Sequence, residues 1–233
     1  MHIPDGYMGP ATYCSLWAAT AAVWYCASKK VQKGLNLSQV PFLAMSSAFS
    51  FLVMIFTIPL PGGTSGHIAG ATLIAILLGP WPATMAVSIA LIIQALLFGD
   101  GGITSLGANC FNIAFVGSFV GYGAYALFGK AATVFRRGSD PGNAPLAARL
   151  VGAGVGAYLG INAAALFTAV ELGMQPILHA AGSGTSGYFP FPLSIVLPAV
   201  MIPHLTVVGA LESSVSVLVV FFLQKFQPQI TMR

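Results

Sequence analysis

Charged side chains are scarce in this chain of 233 residues. Lysine, arginine, aspartate and glutamate together make up 6% of it, whereas a soluble domain carries roughly a quarter. Hydrophobic residues make up 57%, so the polar residues are too few to cover a water-facing surface. This composition excludes a soluble globular domain, and the nine dispersed basic residues exclude a nucleic-acid partner. We therefore expect a multi-pass protein of the cell membrane.

Three further absences narrow the function. The chain has no Walker A sequence (G-x-x-x-x-G-K-[ST]), so it carries no P-loop for hydrolysing ATP. The three cysteines, Cys14, Cys26 and Cys110, show no paired spacing, and we interpret them as small apolar residues inside helices rather than as metal ligands or a disulfide. No signal sequence precedes the first residues, which predicts that Met1 is the mature N-terminus. The bulky His2 also predicts that aminopeptidases leave Met1 in place.

Long hydrophobic runs are abundant. A helix of about 20 apolar residues crosses a bilayer, and several runs approach or exceed that length. The predicted spans cover residues 11–28, 40–60, 68–78, 83–98, 110–128, 146–170 and 193–223. The sequence therefore predicts an all-α membrane protein, a compact bundle of about seven transmembrane helices that forms one domain over residues 1–233.

The basic residues predict the orientation of this bundle. If the N-terminus lies outside, every lysine and arginine falls on the cytoplasmic side, as the positive-inside rule requires, and the C-terminus is cytoplasmic. These residues are Lys29, Lys30, Lys33, Lys130, Arg136, Arg137, Arg149, Lys225 and Arg233. The same orientation brings Met1, His67, His179 and the loop 100–109 to the outer face.

Glycines at four-residue spacing predict close packing of helices. Gly152, Gly156 and Gly160 share one face of a predicted helix, as do Gly117 and Gly121. Such a face serves either a dimer or the packing of one compact bundle, and we favour the bundle.

The first residues have the chemistry of a metal chelate. The amine of Met1, the amide nitrogen of His2 and Nδ1 of His2 can reach one ion through a five-membered and a six-membered ring. Three coplanar nitrogens with a fourth donor suit Ni(II) or Cu(II), whereas zinc prefers a tetrahedron. The alternative is that His2 stands at this position by chance.

His67 is the candidate for the fourth nitrogen. It precedes a short apolar run, so it is expected to lie recessed in the membrane and to face a cavity, although a buried structural histidine is the alternative. Asp5, Asp100 and Asn109 are expected at the mouth of the site, where they orient the ligands by hydrogen bonds or serve as ordinary turn residues. Gln94, in the preceding span, is a further candidate for orienting the ligands.

Two other histidines have less defined roles. His179 lies in a loop rich in glycine and serine, and we interpret it as solvated. His204 follows Pro203 inside the last span, where it is expected to pair with Glu212 or with carbonyls that the proline leaves free. A structural hydrogen bond or a contact with a partner subunit is favoured there over metal binding.

An enzyme remains an alternative. Residues 63–66 and 184–187 both have the form G-x-S-G, which is found in intramembrane serine proteases of the rhomboid type. Such an enzyme would pair Ser65 or Ser186 with a histidine such as His204. The motif is short and occurs twice, so we favour a protein that is not an enzyme.

Five segments resemble the CbiM/NikM family, the substrate-binding membrane subunits (S components) of energy-coupling-factor (ECF) transporters for cobalt and nickel. They are MHIPDG at 1–6, PGGTSGH at 61–67, LLGP at 77–80, QALLFGDGG at 94–102 and LGAN at 106–109. The first half of the chain carries these motifs, and the second half matches in hydropathy and topology.

The resemblance implies a seven-helix subunit whose N-terminus is inserted into its own bundle. It implies that the metal is held by the amine of Met1, the amide and imidazole of His2, and His67. It also implies partners: a membrane coupling protein (T component), a pair of cytoplasmic ATPases (A components) and a small accessory membrane subunit. The metal is then the transported substrate, and no cofactor is expected. The Pro4-Asp5 opening and the planar nitrogen set favour nickel, with cobalt for cobalamin synthesis as the alternative.

Overall fold

The computed structural model describes residues 1–34, 36–60, 64–135, 145–179 and 187–227. These residues form seven continuous helical rods and one small hairpin. The elements are α1 (Pro10–Gly34), a 3₁₀ turn (Leu37–Gln39), α2 (Val40–Ile55), β1 (Ile58–Leu60), β2 (Thr64–Gly66), α3 (Ala71–Leu78), α4 (Pro80–Ile93), α5 (Leu106–Asn109), α6 (Gly117–Phe135), α7 (Leu146–Gly173), α8 (Gln175–Leu178), α9 (Leu193–Pro203) and α10 (Gly209–Phe226).

Three of the rods contain a stretch of π-helix. Gln94–Phe98 extends α4, Cys110–Val116 joins α5 to α6, and His204–Val208 joins α9 to α10. The last stretch directly follows Pro203, which has no N–H to donate to the preceding turn. π-Helical turns are rare and occur often at functional sites.

The rods form an all-α membrane protein, as predicted. Among the described residues, four helices are long and apolar enough to cross a membrane: Pro80–Phe98, Leu106–Ala131, Leu146–Leu178 and Leu193–Phe226. Large apolar side chains such as Leu97, Ile177 and Phe222 are exposed on the outside, as expected for a surface in contact with lipid. Three of the nine basic residues that predict the orientation, Arg136, Arg137 and Arg233, lie outside the described residues.

The predicted span over 40–60 is wrong at its C-terminal end. The helix ends at Ile55, and β1 then pairs antiparallel with β2, with Ile58 opposite Gly66. A proline at position 59 cannot continue the helix, because it has no N–H and its ring would clash with the carbonyl of Ile55. The hairpin positions the segment that leads to His67.

The glycines at four-residue spacing pack the helices of a single bundle. A Cβ built on Gly156 would lie 2.6 Å from the carbonyl oxygen of Gly121, and one built on Gly160 would lie 2.6 Å from that of Gly117. These distances leave no room for a side chain between α6 and α7. The interpretation favoured from the sequence is therefore the one that the fold uses.

Candidate metal site

The first three residues are buried inside the bundle. Met1, His2 and Ile3 are 1%, 4% and 0% exposed, and Met1 and Ile3 belong to the main hydrophobic core. The ends of a chain are usually mobile and solvated unless specific contacts hold them. In a chain with so few charges, the burial of an amino terminus requires a physical explanation, and the contacts around it supply one.

Asn109 and Gly102 hold Ile3 by its backbone. The N–H of Ile3 donates to Oδ1 of Asn109 over 2.9 Å, and Nδ2 of Asn109 donates to the Ile3 carbonyl over 3.2 Å. The N–H of Gly102 donates to the same carbonyl over 2.9 Å. Both backbone polar groups of Ile3 are thus satisfied in the interior, which fixes the two residues before it.

Asp5 fixes the next part of the N-terminal segment. Its carboxylate accepts the N–H groups of Ile103 (3.0 Å) and Thr104 (2.8 Å) and the hydroxyl of Thr104. Burial acts to raise the pKa of Asp5, but the hydrogen bonds from Thr104 and Ile103 outweigh it and lower that pKa. A Cβ on Gly102 would lie 2.4 Å from the Asp5 nitrogen, so only glycine allows this approach.

His2 and His67 meet face to face. Their ring centroids are 4.4 Å apart with an interplanar angle of 27°. Nδ1 of His2 lies 3.0 Å from Oδ1 of Asp100. Nδ1 of His67 lies 3.2 Å from the carbonyl oxygen of Ile68, whereas its Nε2 is buried and has no hydrogen-bond partner among the described residues. A carbonyl only accepts, so the His67 proton belongs on Nδ1 and the lone pair is on Nε2.

The amine of Met1 completes this group of nitrogens. It lies 3.5 Å from Oγ of Ser65, and burial lowers its pKa from 8.0 to about 4, against the opposing charge of Asp100. Burial also lowers the pKa of His2, although its hydrogen bond to Asp100 acts in the other direction. At neutral pH both groups are therefore uncharged and carry lone pairs for a metal ion.

A pocket of about 410 Å³ opens beside these groups. Its lining comes from the N-terminal segment, the hairpin and the loop after α4: His2, Pro4, Thr57, Pro59, Ser65, Gly99, Asp100 and Gly101. The pocket gives His2 and the Asp100 carboxylate access to the outside of the bundle.

The structure brings most of the predicted residues together. Met1, His2 and His67 are adjacent, and Asp100 contacts the His2 ring. Asp5 accepts the backbone N–H groups of Ile103 and Thr104, and Asn109 binds the backbone of Ile3. Gln94 makes a different contact, because its Nε2 lies 3.5 Å from the Phe51 carbonyl and only its backbone carbonyl reaches the N–H of Asp100, at 3.1 Å. Gln94 therefore contacts the start of the loop that carries Asp100 through its backbone and does not contact the His2 or His67 rings in the described contacts.

The remaining histidines lie apart from this group. His179 is half-buried rather than fully solvated: its ring packs on Gly9, and its Nε2 lies 3.5 Å from Oγ1 of Thr12. His204 does not pair with Glu212, because its Nδ1 lies 2.7 Å from the Val200 carbonyl. The favoured structural hydrogen bond forms, but its acceptor also takes the backbone N–H of His204 and so is not a carbonyl that Pro203 leaves free.

Glu212 has a function that sequence reasoning left open. Its carboxylate accepts the N–H of Ala69 over 2.8 Å and that of Gly70 over 2.9 Å, and it is 2% exposed. These two groups follow His67 and lie directly before α3, so a single carboxylate on α10 holds the segment that carries the histidine. An isolated acid inside an apolar span indicates a functional or structural role. Its partners could not be identified from the sequence, because they are more than 140 residues away in the chain.

Sequence comparison finds related proteins over nearly the whole chain. The family model described as CbiM, cobalt uptake substrate-specific transmembrane region, matches residues 2–230. The chain is 45% identical over 230 residues to the fused nickel transport protein NikMN of Rhodobacter capsulatus, covering 99% of this chain and 63% of that protein. It is 42% identical over 231 residues to a putative metal transport protein of Methanocaldococcus jannaschii, covering 99% and 94%.

Structure comparison agrees with the sequence matches. A crystal structure of a transition metal transporter superimposes with a TM-score of 0.87 at 48% identity, covering 97% of this chain and 93% of that one. The chain spans less than two thirds of the length of the Rhodobacter relative, so it matches one part of that fused protein.

Proposed function

The chain belongs to the CbiM family, and from this premise we propose that it is the substrate-specific membrane subunit of an importer that captures Ni(II) outside the cell. The observation that carries the proposal is the buried N-terminus beside two stacked imidazoles. Hydrophobic burial alone would favour apolar groups at the positions of the amine and the two imidazoles. Converging nitrogen donors are what a metal-binding site requires.

Four nitrogens form the proposed coordination set: the amine of Met1, the amide and Nδ1 of His2, and Nε2 of His67. Nδ1 of His2 presently faces Asp100, so chelation requires a half-turn of the ring about its Cβ–Cγ bond. This turn exchanges Nδ1 with Cδ2 and places Nε2 on the side of Asp100. After the turn Cδ2 stands at the position 3.0 Å from Oδ1 of Asp100, so the carboxylate must also shift toward Nε2 to accept its proton, as an acid behind a metal-bound histidine usually does.

The donor set favours nickel over cobalt. A planar arrangement with a deprotonated amide suits Ni(II), and affinity rises from cobalt to nickel in the divalent series. The Rhodobacter relative is named as a nickel transport protein, whereas the family description names cobalt. Cobalt uptake for cobalamin synthesis is the second candidate.

The proposed importer is of the ECF type, and its energy comes from partner subunits. A membrane coupling protein (T component), a pair of cytoplasmic ATPases (A components) and a small accessory membrane subunit would drive the rearrangement that releases the ion inward. The N-terminus lies outside and the C-terminus in the cytoplasm, since the basic residues then face the cytoplasm.

The alternative serine protease is not supported by the contacts of the residues it would use. The hydroxyl of Ser65 lies beside the Met1 amine, and Nδ1 of His204 contacts the Val200 carbonyl. Ser186, the other candidate nucleophile, lies outside the described residues.

The test compares the purified chain with a copy that has one glycine inserted before Met1. The native chain should bind about one nickel with the weak visible band of planar nitrogen ligation, and the extended copy should bind none, because its amine is displaced. A copy with one glycine added after Arg233 is the matched control and should behave as the native chain. Equal nickel in all three would refute the proposed ligand set, and a preference for cobalt would refute only the choice of metal.

A further inference from the structure

A line of buried polar side chains runs along the inner face of the rod Leu193–Phe226. Residues four apart on an α-helix share one face, as Glu212 and Ser216 do on α10, and His204 lies in the π-helical stretch that precedes them. Glu212, Ser216 and His204 are 2%, 1% and 0% exposed. Polar side chains inside a membrane cost free energy and are usually kept for a function. In transporters they often mark the path of the substrate.

His204 has a lone pair that no hydrogen bond uses. Its Nδ1 lies 2.7 Å from the Val200 carbonyl, which only accepts, so the proton belongs on Nδ1. Nε2 is then an acceptor, and it is buried with no partner in the described part of the chain. Buried acceptors are nearly always satisfied, so this imidazole nitrogen is available to bind a ligand.

The position of His204 connects it to the proposed nickel site. A Cβ built on Gly66 would lie 3.6 Å from Cε1 of His204, and Gly66 directly precedes His67. The same rod holds the other side of His67, since Glu212 accepts the N–H groups of Ala69 and Gly70. His204 therefore borders the segment that carries the proposed ligand.

His204 is not part of one closed coordination sphere with His2 and His67. Among the described residues, no three side chains of His, Cys, Asp or Glu are grouped closely enough to hold one ion. An ion on Nε2 of His204 would thus be at a separate position from an ion held by the N-terminus.

The polar line leads inward from His204. Glu212 and Ser216 lie about 12 and 18 Å farther along the rod, toward the end that carries Lys225. Between them and His204, Asn162 on α7 borders Gly209, and both the Oδ1 of Asn162 and the Oγ of Ser216 are buried without partners among the described residues. These oxygens continue the line of unused acceptors.

We propose that His204 Nε2 is a transient ligand that receives the nickel ion when the N-terminal ligands release it, at the start of an inward path along this polar line. The inference rests on the proposed function. It assigns His204 a role in release and none in high-affinity capture.

The test uses His204→Asn, because the asparagine amide can keep the donation to the Val200 carbonyl while the Nε2 lone pair is lost. Equilibrium nickel binding is measured on the purified chain, and initial uptake of radioactive nickel is measured in cells with the complete importer. We expect nickel binding within about threefold of the native chain and an uptake rate at least about tenfold lower. A loss of this size is typical when a group around a metal site is removed. Thr206→Val, on the exposed side of the same π-helical stretch, is the matched control.

Native uptake in His204→Asn would overturn the inference, as would a loss of equilibrium binding equal to the loss of uptake. If His204→Asn fails to reach the membrane, His204→Gln carries the same expectations, because it also has no imidazole. A native chain that neither binds nor imports nickel would overturn the proposed function itself, which is a different outcome from native uptake in the variant.

Discussion

The pH dependence of nickel binding tests the buried N-terminus most directly. Because its pKa is lowered to about 4, the Met1 amine is protonated in about one molecule in a thousand at pH 7. Between pH 8 and 6 the amine therefore has no proton to lose when the ion binds, and the lowered pKa of His2 acts in the same direction. Release of the His2 amide proton then dominates, and the affinity should fall about tenfold per pH unit, or about 100-fold over this range.

An exposed N-terminus would behave differently. An amine with its ordinary pKa of 8.0 would lose about a further 50-fold between pH 8 and 6, and an imidazole with its ordinary pKa of 6.5 about fourfold. Together with the amide these terms give a fall of about 10⁴-fold. The two cases differ by about two orders of magnitude, which is well beyond the error of a binding measurement.

The assay is competition against a chelator of known pH dependence, combined with calorimetry in buffers of different ionisation enthalpy. The buried site should release about one proton per nickel at pH 7. Release of two or more would mean that the amine or imidazole is charged before the metal arrives, and release of none would mean that the amide is not a ligand. Either count would refute the reasoning above.

Two substitutions test the surroundings of the site. Asp100→Asn should weaken nickel binding about 10- to 100-fold, because an uncharged amide stabilises the His2 ring less than a carboxylate does. Titration of the purified variant with nickel measures the affinity, and an unchanged value would show that Asp100 does not orient His2. Gly160→Ala should destabilise the bundle by about 1–3 kcal/mol, because its Cβ would lie 2.6 Å from the Gly117 carbonyl, whereas Gly123→Ala, with open space around it, should not; thermal unfolding in detergent compares the two, and equal melting temperatures would contradict the packing argument.

The sequence was sufficient to predict which residues of the candidate site lie together. Met1, His2 and His67 have distinctive donor chemistry, and the loop 99–109 concentrates glycines and short polar residues that can approach a chain end. Charge scarcity and long apolar runs were sufficient to predict an all-α membrane protein, because these properties follow from composition alone.

The contacts that hold the site were not predictable in the same way. Ile3 is anchored through its backbone, and an apolar side chain carries no signal of that. The strands of the hairpin have three residues each, which is too short for an alternating pattern to show. Glu212 reaches Ala69 across 143 residues, and only the folded bundle brings them together.

The two sides of the proposed site are held by different parts of the fold, and the hydrogen bond from the Met1 amine to Ser65 joins them. Met1 and His2 belong to a segment fixed to residues 100–109, whereas the segment of His67 is fixed to the rod Leu193–Phe226 through Glu212. An ion bound by all three residues bridges these two units. A small displacement of one unit against the other would therefore break the proposed coordination without unfolding either, since each would keep its own hydrogen bonds to the rest of the fold. His204 belongs to the rod, so it would stay beside the segment of His67 in such a displacement, as the proposed transfer of the ion requires.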